Sequence, residues 1–158
     1  MQYLRQATEL GLPRVQTIQN EYNLLRRYYD MDLAELAYHE DVGLLAYSPL
    51  ATGALSGKYL GGVLPPGTRG AIAGSAYRNN RYTEPAIRAY IALAAKHGLD
   101  VNQMAIAFCL TKPFMTSVII GATTMDHLRT NIGAAGLTLS DDILAEIQQI
   151  FMQYPRTL

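Results

Sequence analysis

The sequence predicts an α/β fold in which a parallel sheet of three strands is covered by helices. Three observations predict it. Strand-like and helix-like segments alternate along the chain. Two of the strand segments, residues 42–48 and 117–122, are nearly continuous apolar runs, as expected where both faces of a parallel sheet are covered. The helical segments carry apolar residues at helical spacing behind capping residues and acidic first turns.

The chain opens on "MQYLRQATELGLPRV", which reads as the last turns of a helix ended by Gly11, with Pro13 just beyond. "RVQTIQ" (residues 14–19) follows that break and is rich in β-branched residues, which predicts the first strand. Asp30 and Asp32 then stand before Leu33, Leu36 and Ala37 at helical spacing. "VGLLAYS" is the second strand. Residues 49–82 hold seven glycines and three prolines, a connection too long for an ordinary linker and therefore a candidate functional loop.

Thr83 is expected to cap "EPAIRAYIALAAKHG", with Pro85 in its first turn and Gly98 as its stop. "VNQMAIAFCLT" predicts a second helix, ended at Lys112-Pro113. "SVIIGA" (residues 117–122) is the third strand, Thr124 caps a helix through Leu128 and Ile132, and Ser140 opens the last helix with Asp141 and Asp142 at its positive end. No strand precedes the opening helix. Three strands alone leave both outer strands with unpaired backbone groups, so a marginal or self-associating chain is expected.

With 158 residues, 49% of them hydrophobic, one globular domain is expected. A formal net charge of zero gives no pull toward nucleic acid or an anionic membrane. No apolar run reaches membrane-spanning length and no signal-peptide layout opens the chain, which together predict a cytoplasmic protein. Cys109 is the single cysteine, set in an apolar helical stretch where a buried structural thiol is expected, and it permits neither an intrachain disulfide nor a cysteine metal site.

Ligands of parallel α/β folds sit at the carboxyl ends of the strands. Three such ends can be read: Gln19-Asn20, Tyr47-Ser48 with the loop to Lys58, and Gly121-Ala122-Thr123 running into a helix start. Small residues let backbone N–H groups approach an oxyanion, and Ser56, Gly57 and Lys58 add a hydroxyl, open backbone and a positive charge. Thr123 and Thr124 stand where backbone donors and the helix dipole favour phosphate. Tyr47 offers a face for stacking, and Gln19 offers an amide both a donor and an acceptor. Neither G-x-G-x-x-G nor G-x-x-x-x-G-K-[ST] is present, and each end taken singly is equally consistent with plain loop or core. Together the three ends point to a phosphorylated cofactor with an aromatic or amide head.

"TIQNEYNLL", "LLAYSPLATGALSGKY" and "VIIGATTMDHLRTNI", in that order, resemble the successive cofactor segments of the aldo-keto reductases, which are NADPH-dependent (β/α)₈ barrels. The likeness is to the Tas-like branch, and the potassium-channel β subunits share the "SPL…SGKY" pattern. It covers essentially the whole chain and implies a partial (β/α)₈ barrel, the last three βα units of a fold that takes about 250 residues when complete. It further implies a role for each matching residue. Gln19 would bond the nicotinamide carboxamide and Tyr47 would stack on its ring. Ser48, Leu50, Gly53, Ser56 and Lys58 would cradle the pyrophosphate and adjoining ribose. Arg69 would reach the adenosine end at its 2′-phosphate, and Gly121, Ala122, Thr123, His127 and Asn131 would enclose the adenosine and 2′-phosphate, with Asn131 on the adenine. His127 stands where relatives often carry Gln or Arg, a departure at the contact that separates NADPH from NADH.

The family's catalytic tyrosine, lysine, aspartate and histidine come from the first half of its barrel, and no residue here matches them. Tyr77 and Tyr82, beside Arg78 and Arg81, read as surface tyrosines, and His39 and His97 as helix-end histidines. No catalytic constellation is found. Two readings follow: the cofactor-binding half of a reductase that needs its missing half, or a non-catalytic nucleotide-binding or interaction remnant.

Overall fold

Three parallel strands, β1 (Thr17–Glu21), β2 (Gly43–Tyr47) and β3 (Met115–Ile119), lie side by side in chain order. They are seen in a computed structural model that describes residues 1–75 and 80–155. Seven helices accompany them: α1 (Gln2–Leu10), α2 (Leu33–Glu40), α3 (Arg69–Ala73), α4 (Thr83–Lys96), α5 (Val101–Leu110), α6 (Met125–Gly133) and α7 (Asp141–Gln153), counted among the described residues. Tyr77 and Arg78 fall outside those residues.

The helix ends follow the chemistry of their sequences. Gly11 ends α1 in the left-handed conformation that its missing Cβ permits. Asp32, Asp100, Thr124 and Ser140 each accept a backbone N–H at the start of α2, α5, α6 and α7. Thr83 corrects the expectation at α4. It is the first helical residue rather than the cap, because its hydroxyl turns back to accept the Asn80 N–H at 3.0 Å.

Strand bounds shift for a reason of pairing. A strand persists only while it has a partner, and β2 stops at Tyr47 because Ser48 turns left-handed at φ 53°. Glu21 and Ile119 both pair with Tyr47, so β1 runs on to residue 21 and β3 ends at residue 119 instead of 122. β3 begins two residues early at Met115 and accommodates an irregularity opposite Leu44 and Leu45. The long connection 49–82 is likewise not bare loop. It contains short 3-10 turns at Ala51–Ser56 and Leu60–Gly62 and the one-and-a-half-turn helix α3.

The two faces of the sheet differ. Leu44 and Ala46 of β2 point into a core built with Ile18 and Val118 of the neighbouring strands and with Leu93, Met104, Phe108, Cys109 and Ile147 of α4, α5 and α7. Burying a side chain such as Leu44 or Met104 stabilises the fold by about 1.5–3 kcal/mol. α5 is the central helix, with every residue from Met104 to Cys109 buried. The opposite face carries Gln19, Leu45, Tyr47 and Ile119, alternating with the core set, and both Tyr47 and Ile119 are 40% exposed. Among the described residues neither the outer edge of β1 nor that of β3 has a strand partner.

Candidate functional site

The open face of the sheet brings the first two predicted residues together. Gln19 pairs with Leu45 across β1 and β2, so it stands on the same face as Tyr47, one pleat repeat below the strand tip. Tyr47 in turn pairs with Ile119, two residues before Gly121. The three carboxyl ends therefore lie next to one another.

From Tyr47 the chain enters strained backbone. Ser48, Ala51 and Thr52 adopt φ of 53°, 49° and 54°, three of the four non-glycine residues with positive φ among the described residues, and Gly53 follows at 94°. L-residues held in this region cost on the order of 1 kcal/mol each and persist only where surroundings fix them. Here they are fixed by hydrogen bonds. Ala51 N–H donates to Ser48 O at 2.9 Å, Gly53 N–H to Leu50 O at 2.8 Å, and the Ser56 hydroxyl to Gly53 O at 2.8 Å. Asn23, fully buried, donates from Nδ2 to Ser48 O at 3.0 Å while its Oδ1 accepts the N–H groups of Leu25 and Arg26.

Lys58 folds back over this turn. A Cβ on Gly53 would lie 2.8 Å from Lys58 Cε and Nζ, so a side chain there would push the ammonium group out of this position. The same ammonium sits 5.2 Å from the Tyr59 ring centre. Tyr59 is buried, and its hydroxyl accepts the Gly70 N–H at 3.1 Å, at the start of α3 where Arg69 is the first residue. Burial pushes the Tyr59 hydroxyl up, but the Gly70 N–H, Thr68 and the Lys58 ammonium outweigh it, and the net direction is down.

The third strand end is built separately. Asn131 of α6, nearly buried, donates to Gly121 O at 3.2 Å, and Thr124 accepts the His127 N–H. Gly121, Ala122, Thr123 and His127 are exposed, with Thr123 Oγ1 and His127 Nδ1 3.5 Å apart. Among the described residues no hydrogen bond or ion pair joins Arg69 to this group.

Charge distinguishes the connection from the rest of the surface. Residues 49–82 contain Lys58, Arg69, Arg78 and Arg81 and no Asp or Glu. Among the described residues, Lys58, Arg69 and Arg81, like the half-buried Lys112 elsewhere, lie outside every carboxylate ion pair, whereas Arg5, Arg14, Arg26, Arg27, Arg88, Lys96 and Arg129 each have one. A lysine lying across a glycine and no competing acid together suit an anion. By contrast, a cavity of about 580 Å³ lies at the amino ends of the strands, lined by Thr17, Tyr38, Gly43, Phe114 and Met115 among others. That end of a parallel sheet serves stability rather than ligand binding.

The sequence of the aldo/keto reductase family matches residues 1–151. The chain belongs to that family. It is 47% identical to Protein tas of Escherichia coli (strain K12) over 155 residues, covering 98% of this chain and 45% of that protein. It is 36% identical to the L-glyceraldehyde 3-phosphate reductase of Escherichia coli (strain K12), covering 83% of this chain and 40% of that one. To a probable voltage-gated potassium channel subunit beta of Arabidopsis thaliana it is 32% identical, covering 87% and 44%. The chain thus spans less than half the length of these relatives, aligned to their carboxyl-terminal portions.

Asn23, Tyr59 and the acid-free run were not legible as site features from motif reading. The run has a simple sequence signal, the count of charges by sign within one connection. The two side chains have none short of knowing what they touch. Among the described residues no helix is long and apolar enough to cross a membrane, and no cluster of potential metal ligands occurs.

Proposed function

We propose that this chain is the cofactor-holding, carboxyl-terminal part of an NADPH-dependent aldo-keto reductase, made of the last three βα units of a (β/α)₈ barrel. The bound dinucleotide would supply the hydride that reduces a carbonyl to an alcohol. Gln19 and Tyr47 hold the nicotinamide end, the turn Ser48–Leu50–Gly53–Ser56–Lys58 holds the pyrophosphate, and Arg69 reaches the 2′-phosphate. Gly121, Ala122, Thr123, His127 and Asn131 surround the adenosine. The proton donor and much of the substrate pocket come from the part of the reductase that this chain does not span. A cytoplasmic setting fits that chemistry.

The observation that carries the reading is the strained, acid-free segment that begins at the tip of β2, where Lys58 lies across Gly53. Strand order that follows the chain supports a barrel segment over a sheet whose order reverses. The test is NADPH-dependent turnover of a generic aldehyde. The chain alone binds the cofactor without turnover, and turnover by the chain alone overturns the division of labour.

The open edges of β1 and β3 favour a second reading, a non-catalytic remnant that self-associates or docks on a partner through those strands. Sedimentation in the presence and absence of NADPH separates the two. An interaction remnant associates whether or not NADPH is present.

A further inference from the structure

We infer that Tyr59 is a positioning residue that acts through Arg69, holding its guanidinium in reach of the adenosine 2′-phosphate; the inference rests on the cofactor reading above. Tyr59 is the residue through which the two cationic parts of the connection touch. Its ring face carries the Lys58 ammonium at 5.2 Å, and its hydroxyl accepts the N–H of Gly70, the residue after Arg69, at 3.1 Å. Gly70 makes that contact possible. A Cβ there would lie 2.7 Å from Tyr59 Cε1 and 3.0 Å from Cζ.

α3 is otherwise weakly held. It has five residues, is exposed apart from Gly70 and partly Ala71, and its cap is local, with Thr68 Oγ1 accepting the Ala71 N–H at 3.3 Å. A helix this short has little stability of its own. The Tyr59 ring and hydroxyl, with Leu64 beside Gly70, join it to the buried side of the connection, and the hydroxyl supplies the hydrogen bond. Arg69 has no carboxylate partner among the described residues, so its own side chain does not fix it. The separation between a cation over the pyrophosphate and a cation at the far ribose is then set by one phenol.

Tyr59→Phe tests the hydroxyl arm, because phenylalanine keeps the ring face under Lys58 and loses the bond to Gly70 together with the hydroxyl's contacts to Thr68 and Lys58. Dissociation constants for NADPH and NADH are measured by fluorescence titration of the chain carrying Tyr59→Phe, Arg69→Ala or both. Tyr59→Phe weakens NADPH about fivefold, the worth of one buried hydrogen bond, and leaves NADH within about twofold. Combined with Arg69→Ala it adds nothing further, because both changes remove the same contact. The retained NADH affinity reports that the fold is intact. An equal loss for both cofactors, or losses that multiply in the double variant, overturns the positioning role while the cofactor reading stands. A wild-type chain that binds neither cofactor overturns the cofactor reading and this inference with it.

Discussion

Asn23 Nδ2 donates a 3.0 Å hydrogen bond to the carbonyl oxygen of Ser48, joining the segment after β1 to the first left-handed residue after β2. Its Oδ1 accepts two further backbone N–H groups, so one fully buried amide satisfies three backbone groups. Asn23→Ala removes all three bonds and is expected to lower stability by about 2 kcal/mol. Urea unfolding followed by circular dichroism measures it. A midpoint within error of wild type would mean that the turn holds itself.

Lys58→Ala is expected to weaken NADPH binding about tenfold, the scale of one charge-assisted contact. Gly53→Ala should do the same by another route. It adds a Cβ 2.8 Å from the Lys58 ammonium and costs about 1–2 kcal/mol for a left-handed alanine. Lys96→Ala removes an exposed ion pair with Glu146 and should change cofactor affinity less than about twofold. Equal effects at Lys58 and Lys96 would remove the loop from the binding site.

Glu146 of α7 is held below the usual carboxylate range, first by its 2.6 Å bond from Lys96 Nζ and then by His97 at the end of α4. A carboxyl lowered by folding contributes stability that is present above the unfolded value of about 4.3 and is lost as pH falls through the lower folded value. The unfolding midpoint of wild type should therefore drop more steeply below pH of about 5 than that of Glu146→Gln. Parallel pH profiles for the two chains would show that the contact does not couple α4 to α7.

Cys109 is fully buried in α5, and burial pushes its thiol up to about 12. Folding thus disfavours the thiolate, and the linked stability is present below the unfolded value of about 8.5 and lost as pH rises toward 12. The thiol is expected to resist an aromatic disulfide reagent at pH of about 8 and to react fully once urea unfolds the chain. Rapid labelling of the folded chain would contradict that placement of α5.

Much of this architecture is legible in the sequence because it rests on local chemistry. Asp32, Thr124 and Ser140 cap their helices as their side chains dictate, and Gly11 ends α1 for want of a Cβ. What escapes is decided by partners distant in the chain. Nothing within "SVIIGA" says that β3 ends at Ile119; the left-handed turn at Ser48, just past the end of β2, does. Thr83 reads as a cap until Asn80 competes for its hydroxyl. The site divides the same way. The residues proposed to hold the cofactor, such as Tyr47, Lys58 and Gly121, are picked out by motif resemblance, whereas Asn23 and Tyr59 enter only through Ser48 and Gly70. Their side chains carry no signature of those contacts.

The most direct test is a titration of the purified 158-residue chain with NADPH at two salt concentrations. Saturable binding that weakens as salt rises, and that Lys58→Ala diminishes, is the predicted result, since phosphate held by cations is screened. Absence of saturable binding at either salt concentration would contradict the claim that this chain holds the cofactor.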